Sequence, residues 1–137
     1  MKKGIYISIK PEFTKKIETG EKNYEFRKYY PKQNIGLLYV YETVPTRALK
    51  YIIEIGDIVK YPDRISKEGY GNLEFNNGLK KSKYAYEIKH VDILERPIPL
   101  SELKNLYGFA APQAYAYDTK YPKLTEIINN SQKRRII

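Results

Sequence analysis

The sequence of 137 residues contains no cysteine and no tryptophan, and it has a single histidine, His90. Without cysteine, disulfides, thiolate zinc sites and cysteine nucleophiles are all excluded. One isolated histidine argues against a histidine-based metal site or a serine–histidine catalytic pair, and we interpret His90 as a surface or turn residue. The sequence therefore predicts no metal site and no cofactor.

Long apolar runs are also missing. No stretch approaches the roughly 20 apolar residues of a membrane-spanning helix, and residues 1–8 lack the apolar core of a signal peptide. A chain of this length is expected to form one domain with its own core. We therefore expect a cytoplasmic protein without a membrane partner, in which a single domain spans residues 1–130. The sequence does not define an oligomeric state.

Residues 131–137 form a basic tail that contains Lys133, Arg134 and Arg135 and no acidic residue. Chain ends are commonly held loosely. We interpret the tail as a frayed end rather than as a specific binding arm.

Acidic residues are scarce, since 16 Asp and Glu stand against 25 Lys and Arg and give a formal net charge of +9. Excess positive charge favours nucleic acid as a partner class. The fifteen tyrosines agree with this, because single-strand binders stack aromatic rings on bases. Tyrosine is also a good strand former in any small β-protein, so composition alone leaves both explanations open.

The opening of the chain predicts a strand, a short helix and a second strand. From Gly4 to Ile9, isoleucines alternate with other residues at the period of a strand. Pro11 suits the first turn of a helix, and Gly20 suits the position just after a helix. The chain then extends again over residues 23–27, with Tyr24 and Phe26 on one face.

The opposite face of this second strand carries a candidate site. Glu25 and Arg27 lie two residues apart on that face, close enough to interact, and Lys22 precedes them. A solvated ion pair on a half-exposed strand is the alternative interpretation. The density of polar groups at the two strand ends favours a binding site; these groups are Ser8, Lys10, Lys22, Glu25, Arg27 and Lys28.

Three further strands are predicted. Residues 35–41 are apolar on both faces, which predicts a central strand. In the next strand the apolar pattern changes phase at Gly56, and in a late strand over 84–94 it changes phase at Lys89-His90. Such changes indicate bulges, which bend the strands of small barrels. Pro97 and Pro99 are expected to end the late strand.

The remaining segments are less regular. Residues 61–83 are expected to be a lid or a long loop. Ser101 is a candidate N-cap for a helix over 102–107 that turns Leu103, Leu106 and Tyr107 inward and ends at Gly108. Pro122 is expected to open a last helix whose apolar face contains Leu124, Ile127 and Ile128.

Residues 111–117 form a second candidate site. Tyr115 and Tyr117 share one face of a short strand, and the amide of Gln113 can both donate to and accept from a base edge. The alternative is an ordinary edge strand that buries its tyrosines in the core.

Together these elements predict an α+β fold. We expect a small, mostly antiparallel, partly closed β-barrel of five or six strands with three or four short helices. One early helix joins the first two strands, and a terminal helix packs outside.

The opening motif also resembles a known family. Ser8-Ile9-Lys10-Pro11 followed by Gly20-Glu21-Lys22-Asn23-Tyr24-Glu25-Phe26-Arg27-Lys28 is similar to the opening of ASCH-domain proteins, which have a PUA-like β-barrel. Weaker similarity continues in three later segments. Ala48 to Ile58 is similar to the middle strand of the family, residues 83–88 to its late strand, and Pro99-Leu100 followed by residues 111–115 to its closing segment. The resemblance covers about Ile5 to Tyr117.

The resemblance and the charge both imply RNA binding. In that interpretation Lys10, Lys22, Arg27 and Lys28 contact phosphate or ribose. Gln113 and Tyr115 contact a base.

The resemblance also implies an alternative, a hydrolase acting on acylated or otherwise modified nucleosides or nucleotides. Some ASCH-like proteins are amidohydrolases on acetylated cytidine and use a lysine that matches Lys22, a threonine three residues later and a distant glutamate. Here the residue three later is Glu25, so the hydroxyl of this set is missing, and Lys22 and Glu25 are the catalytic residues expected if the protein is an enzyme. Glu68 and Glu74, in the segment 61–83, could each reach the Lys22 cluster. Glu25 is expected to raise the pKa of Lys22, whereas a catalytic lysine needs a pKa nearer neutrality.

A third interpretation is a non-catalytic regulatory or interaction domain. The charged cluster would then only hold the early strands in place.

Overall fold

The computed structural model describes residues 2–137, in which seven strands form one sheet surrounded by four α-helices and a short 3₁₀ helix (Asp118–Lys120). The strands are β1 (Gly4–Ile9), β2 (Tyr24–Arg27), β3 (Leu37–Glu42), β4 (Ala48–Lys60), β5 (Tyr84–Pro99), β6 (Ala116–Tyr117) and β7 (Lys133–Arg135). The helices are α1 (Pro11–Glu18), α2 (Asn72–Asn76), α3 (Leu100–Tyr107) and α4 (Pro122–Asn130).

The sheet is mixed and mostly antiparallel, and it curls into a half-barrel. Its strand order is β2-β5-β4-β3-β1-β6, and β7 adds to β5 off this path. β1 and β3 are parallel, while every other pair among the described strands is antiparallel. The described sheet has seven strands rather than the five or six expected, because the tail adds β7, which was not predicted. β3 is central, as its apolar residues on both faces predict.

The core lies on both faces of the sheet. Alternation in β1 sends Ile5, Ile7 and Ile9 to one face, where α1 packs through Ile17. It sends Tyr6 to the other face, where α3 and α4 pack. The expected alternation in β1 is confirmed, and burial on both sides explains why Tyr6 is as inaccessible as the isoleucines.

Both predicted bulges are present in the pairing of β4 with β5. Glu54 pairs with His90 and Ile55 with Ile88, so Lys89 of β5 is unpaired. The next pair is Ile58 with Tyr86, which leaves Gly56 and Asp57 of β4 opposite a single residue of β5. The extra residues increase the local twist and bend the two longest strands, which curls the sheet.

Other expectations about β5 and the helices were wrong. β5 continues through Pro97 to Pro99. Pro97 lies in the register shift between Leu49 and Tyr51 of β4, where the ladder is interrupted, and Pro99 is the last residue of the strand. Ser101 lies inside α3, whose N-cap is Pro99.

The inward faces of α3 and α4 are narrower than expected. Leu106 and Ile127 are exposed, whereas Leu103, Leu124 and Ile128 are fully buried. One row of apolar side chains per helix is enough to cover the sheet at these positions.

The basic tail is an edge strand rather than a frayed end. β7 pairs with β5 between Asp92 and Leu94. The Arg135 Nε donates to the Asp92 carboxylate at 3.0 Å, and the Lys133 ammonium donates to main-chain carbonyl groups at the end of α4. Two of the three tail cations, Lys133 and Arg135, thus bind groups in the body of the protein. The prediction of a frayed end is therefore wrong.

Candidate functional site

The candidate site lies where the ends of β1 and β2 meet. These strands are far apart in the sheet order, but the Arg27 Nη2 donates to the main-chain carbonyl oxygen of Ser8 at 2.9 Å. The curvature of the sheet therefore brings together the two sequence segments in which the candidate residues were found.

Glu25 is the centre of an ion cluster. Its Oε2 is 2.9 Å from the Arg27 Nε, and its Oε1 is 3.4 Å from the Lys22 Nζ. The Lys22 and Glu25 side chains are only 5% and 8% exposed. The solvated ion pair considered from the sequence is therefore wrong, because curling of the sheet covers this face of β2.

Burial and Glu25 have opposite effects on the Lys22 pKa. Burial disfavours the ammonium form and outweighs the carboxylate, so the pKa of Lys22 lies below its ordinary value. The nearby cations Lys80 and Arg27 lower this pKa further. Glu25 raises the Lys22 pKa as expected, but the expected net rise is wrong because burial has the larger effect. For Arg27, burial alone would lower the pKa, but Glu25 and its hydrogen bond raise it.

Aromatic rings surround the Lys22 ammonium. The Lys22 Nζ lies 4.5 Å from the ring centroid of Phe26 and 5.9 Å from that of Phe13. The Lys80 Nζ lies 4.6 Å from the same Phe26 centroid. Sequence reasoning missed Lys80, because nothing distinguishes it from the other lysines of its loop until folding brings it to β2.

The segment 61–83 packs beside this cluster. Phe75 of α2 is buried, stacks on Phe26 with ring centroids 5.6 Å apart, and shares a small core with Tyr24 and Ile65. The Asn23 side chain also donates to the main-chain carbonyl of Glu68 at 3.0 Å. The segment is therefore packed against the two sides of β2 rather than being a loose loop.

Residues 112–115 reach the same place from the far end of the chain. The Ser8 hydroxyl donates to the Pro112 carbonyl at 2.8 Å, and the Tyr29 hydroxyl donates to the Ala114 carbonyl at 2.9 Å. Tyr29 and Tyr115 stack with centroids 4.8 Å apart. Tyr29, two residues after Arg27, was missed because it is one of fifteen tyrosines in the sequence.

The structure therefore brings most of the sequence-predicted residues together. Gln113 is exposed and Tyr115 is half-buried beside Ser8 and Tyr29, while Lys10 and Lys28 are exposed next to Ser8 and Arg27 in the chain. The two candidate glutamates are not joined to Lys22. Glu68 and Glu74 are exposed, and Glu25 is the sole carboxylate within 4.0 Å of the Lys22 Nζ in residues 2–137.

A second polar cluster lies behind α1 and was missed entirely. The Glu42 carboxylate is buried at the end of β3 and accepts a hydrogen bond from the Thr14 hydroxyl. The Tyr51 hydroxyl donates to Glu18 and lies 3.4 Å from the same oxygen of Glu42. Burial alone would raise the pKa of Glu42. Hydrogen bonds from Thr14 and Thr46 and the Lys50 ammonium, 3.6 Å away, hold the pKa of Glu42 below its ordinary value instead.

Two negative findings concern the described part of the chain. Between residues 2 and 137, no group of three or more His, Cys, Asp and Glu side chains is placed to hold a metal ion. In the same range no helix is long and apolar enough to cross a membrane.

The chain is thus a curled, mostly antiparallel half-barrel that carries a buried lysine–glutamate–arginine cluster. The sequence model of the ASCH domain matches residues 7–121, and the chain belongs to the ASCH-domain family. Among proteins of curated function, none matches the sequence.

Solved structures of ASCH proteins from Zymomonas mobilis share the fold. A serine-to-alanine variant is 25% identical, with a TM-score of 0.69 over 92% of this chain and 96% of that chain. A tyrosine-to-phenylalanine variant is 21% identical, with a TM-score of 0.71 over 94% and 99%. The form without a substitution in its name is 20% identical, with a TM-score of 0.67 over 94% and 96%.

Proposed function

We propose that this protein binds RNA at the end of the half-barrel where residues 112–115 meet the ends of β1 and β2. The observation that carries the proposal is the pair of contacts from Ser8 to Pro112 and from Tyr29 to Tyr115. They bring an exposed glutamine and a pair of tyrosine rings to the strand ends that two exposed lysines, Lys10 and Lys28, directly follow. Rings that stack on bases, an amide for base edges and cations for phosphate are the groups that single-stranded RNA requires.

The burial of the cluster changes the roles expected from the sequence. Lys10 and Lys28 are exposed, and they supply the direct contacts to phosphate. Arg27 and Glu25 are held inside by each other, and they fix the end of β2 against β1. Gln113 and Tyr115 keep the expected role at a base.

A titration with a short single-stranded RNA tests this proposal. Fluorescence anisotropy with a labelled oligonucleotide of mixed sequence, repeated at increasing salt, should show affinity falling steeply as counterions are released. Absence of binding at low salt with micromolar protein, or binding that does not depend on salt, would contradict the proposal.

Hydrolysis at Lys22 is the second candidate function, and one observation favours it. Burial lowers the Lys22 pKa, which is the direction that a catalytic lysine needs. In this interpretation Lys22 is the base or nucleophile, and Glu25 orients it. The substrate class is an acylated or otherwise modified nucleoside or nucleotide.

The test of hydrolysis is acid release from a panel of acylated nucleosides. Wild type should turn over at least one of them, and Lys22→Arg should abolish turnover, because arginine does not lose its proton in proteins. Wild type without turnover above background would remove this candidate, and an active Lys22→Arg variant would show that Lys22 is not the catalytic group. If neither RNA binding nor turnover is found, the domain is a regulatory or interaction module.

A further inference from the structure

The Lys22 cluster contains more positive than negative charge. Lys22 and Arg27 share the single carboxylate of Glu25. Lys80 approaches from the segment 61–83 and has no carboxylate within 4.0 Å in the described chain. Three cations therefore surround one anion in a largely covered region.

Lys80 is held close to Lys22 by packing. Both ammonium groups lie over the Phe26 ring, at 4.5 Å and 4.6 Å from its centroid, so their nitrogen atoms are at most about 9 Å apart, within the range of strong electrostatic coupling in a protein. Phe26 is itself fixed by stacking on Phe75. The arrangement is thus part of the packed structure.

Gly71 leaves room for the Lys80 side chain. A Cβ atom at position 71 would lie 2.8 Å from the Phe26 ring and 3.0 Å from the Lys80 Cε, and the residue has a φ of +81°. A side chain here would be strained and would displace the lysine. Gly71 therefore permits the Lys80 ammonium to lie over Phe26.

The Phe26 ring attracts each ammonium group, but cations held near one another repel where water and counterions are partly excluded. The Lys22 pKa shows the effect, since Lys80 contributes to lowering it. An anion close to the Lys80 ammonium would relieve the repulsion and accept a charge-assisted hydrogen bond. Lys80 is only half-buried, which gives such an anion a route to the cluster.

We propose that Lys80 and Lys22 form an anion site that receives a phosphate group of the bound nucleotide. This inference rests on the proposed RNA binding and deepens it, because it assigns the segment 61–83 to the ligand. Lys80 contacts the phosphate directly, and Lys22, buried beside Phe26, contributes its charge at longer range. The site selects phosphate-bearing nucleotides over uncharged nucleosides.

The experiment compares inorganic phosphate, uridine 5′-monophosphate and uridine as probes at constant ionic strength. Backbone amide signals of Phe26 and Gly71 are followed by NMR during each titration. Both phosphate-bearing probes should shift these signals saturably, and uridine should not. Lys80→Met removes the charge but keeps an apolar side chain, and it should weaken phosphate binding at least fivefold.

Two variants make the result specific. Lys80→Arg keeps the charge and should retain most of the affinity. Lys81→Met removes one charge from the neighbouring exposed residue and should bind like wild type. The inference would be overturned if Lys80→Met and Lys81→Met weakened phosphate binding equally, or if Lys80→Met left the affinity unchanged. It would also be overturned if wild type gave no saturable response.

The outcome is separable from that of the proposed function. If wild type binds RNA but Lys80→Met leaves the phosphate affinity unchanged, only the anion site is removed. Phosphate binding at Lys80 without any RNA binding removes only the RNA proposal.

Discussion

The guanidinium of Arg27 donates to the main-chain carbonyl oxygen of Ser8 across a gap that no strand pairing spans in the described sheet. The same guanidinium is held by Glu25. This side chain therefore joins the end of β2 to the end of β1, and it sets the distance between the two halves of the candidate site.

Replacement of Arg27 by methionine should destabilise the protein by about 3 kcal/mol. It removes one partner of a buried ion pair and leaves the Glu25 carboxylate with Lys22 alone. Urea unfolding measures the loss. Arg96→Met is the control, since the Arg96 side chain is 87% exposed and its loss should change stability by less than about 0.5 kcal/mol. Equal effects of the two substitutions would show that Arg27 does not hold the strands together.

Phe75 should be the main anchor of the segment 61–83. Phe75→Ala removes a ring that is buried against Phe26 and Tyr61, and it should cost about 3–5 kcal/mol. Leu73→Ala in the same helix is the matched control, because Leu73 is 64% exposed.

Hydrogen exchange adds a second readout of the same anchor. Amides of residues 65–79 should lose protection in Phe75→Ala and keep it in Leu73→Ala. Full protection of these amides in Phe75→Ala would show that Phe75 does not anchor the segment.

Much of the fold could be predicted because local patterns and tertiary packing agree. The alternation in β1, the helix between Pro11 and Gly20, and the phase changes at Gly56 and at Lys89-His90 all have a local physical cause. Pro97 misled the prediction because a proline usually ends a ladder, and here a register shift accommodates it.

The site was only partly predictable. Lys22, Glu25 and Arg27 are close in sequence, so their association is visible in the pattern. Lys80 and Tyr29 join them only through the curl of the sheet and the packing of the segment 61–83. The burial that reverses the expected Lys22 pKa change likewise depends on tertiary structure.

The hydroxyl of Thr14 should stabilise the ionised form of Glu42. Thr14→Val leaves a buried carboxylate with one donor fewer and should cost about 1–3 kcal/mol at pH 7. Because the Glu42 pKa is held below its ordinary 4.5, this stabilisation is complete above that value and is lost as pH falls through the folded-state pKa.

The measurement for Thr14 is the free energy of unfolding between pH 7 and pH 3. The difference between wild type and Thr14→Val should narrow as the solution becomes more acidic. Thr119→Val, at an exposed position, should show little change at any pH. A difference of constant size for Thr14→Val across this range would contradict the role given to the hydroxyl.

Tyr115 should contribute stacking to RNA binding. Tyr115→Ala should weaken binding of a single-stranded oligonucleotide by about 1–3 kcal/mol, the usual contribution of one stacked base, whereas Tyr115→Phe should bind nearly as wild type. Tyr107→Ala, on the opposite face of the sheet, controls for general loss of packing. Equal affinities of Tyr115→Ala and Tyr107→Ala would remove Tyr115 from the binding surface.

The most direct test of RNA binding at this end of the half-barrel compares two double variants with the same change in net charge. Lys10 and Lys28 are replaced by alanine in one, and Lys104 and Lys123, exposed on α3 and α4, are replaced in the other. Anisotropy titrations with one RNA at several salt concentrations should show that the first variant binds at least tenfold more weakly. Its salt dependence should be reduced by about two phosphate contacts, while the second variant remains close to wild type. Equal losses in both variants would show that the net charge, and not this site, binds RNA.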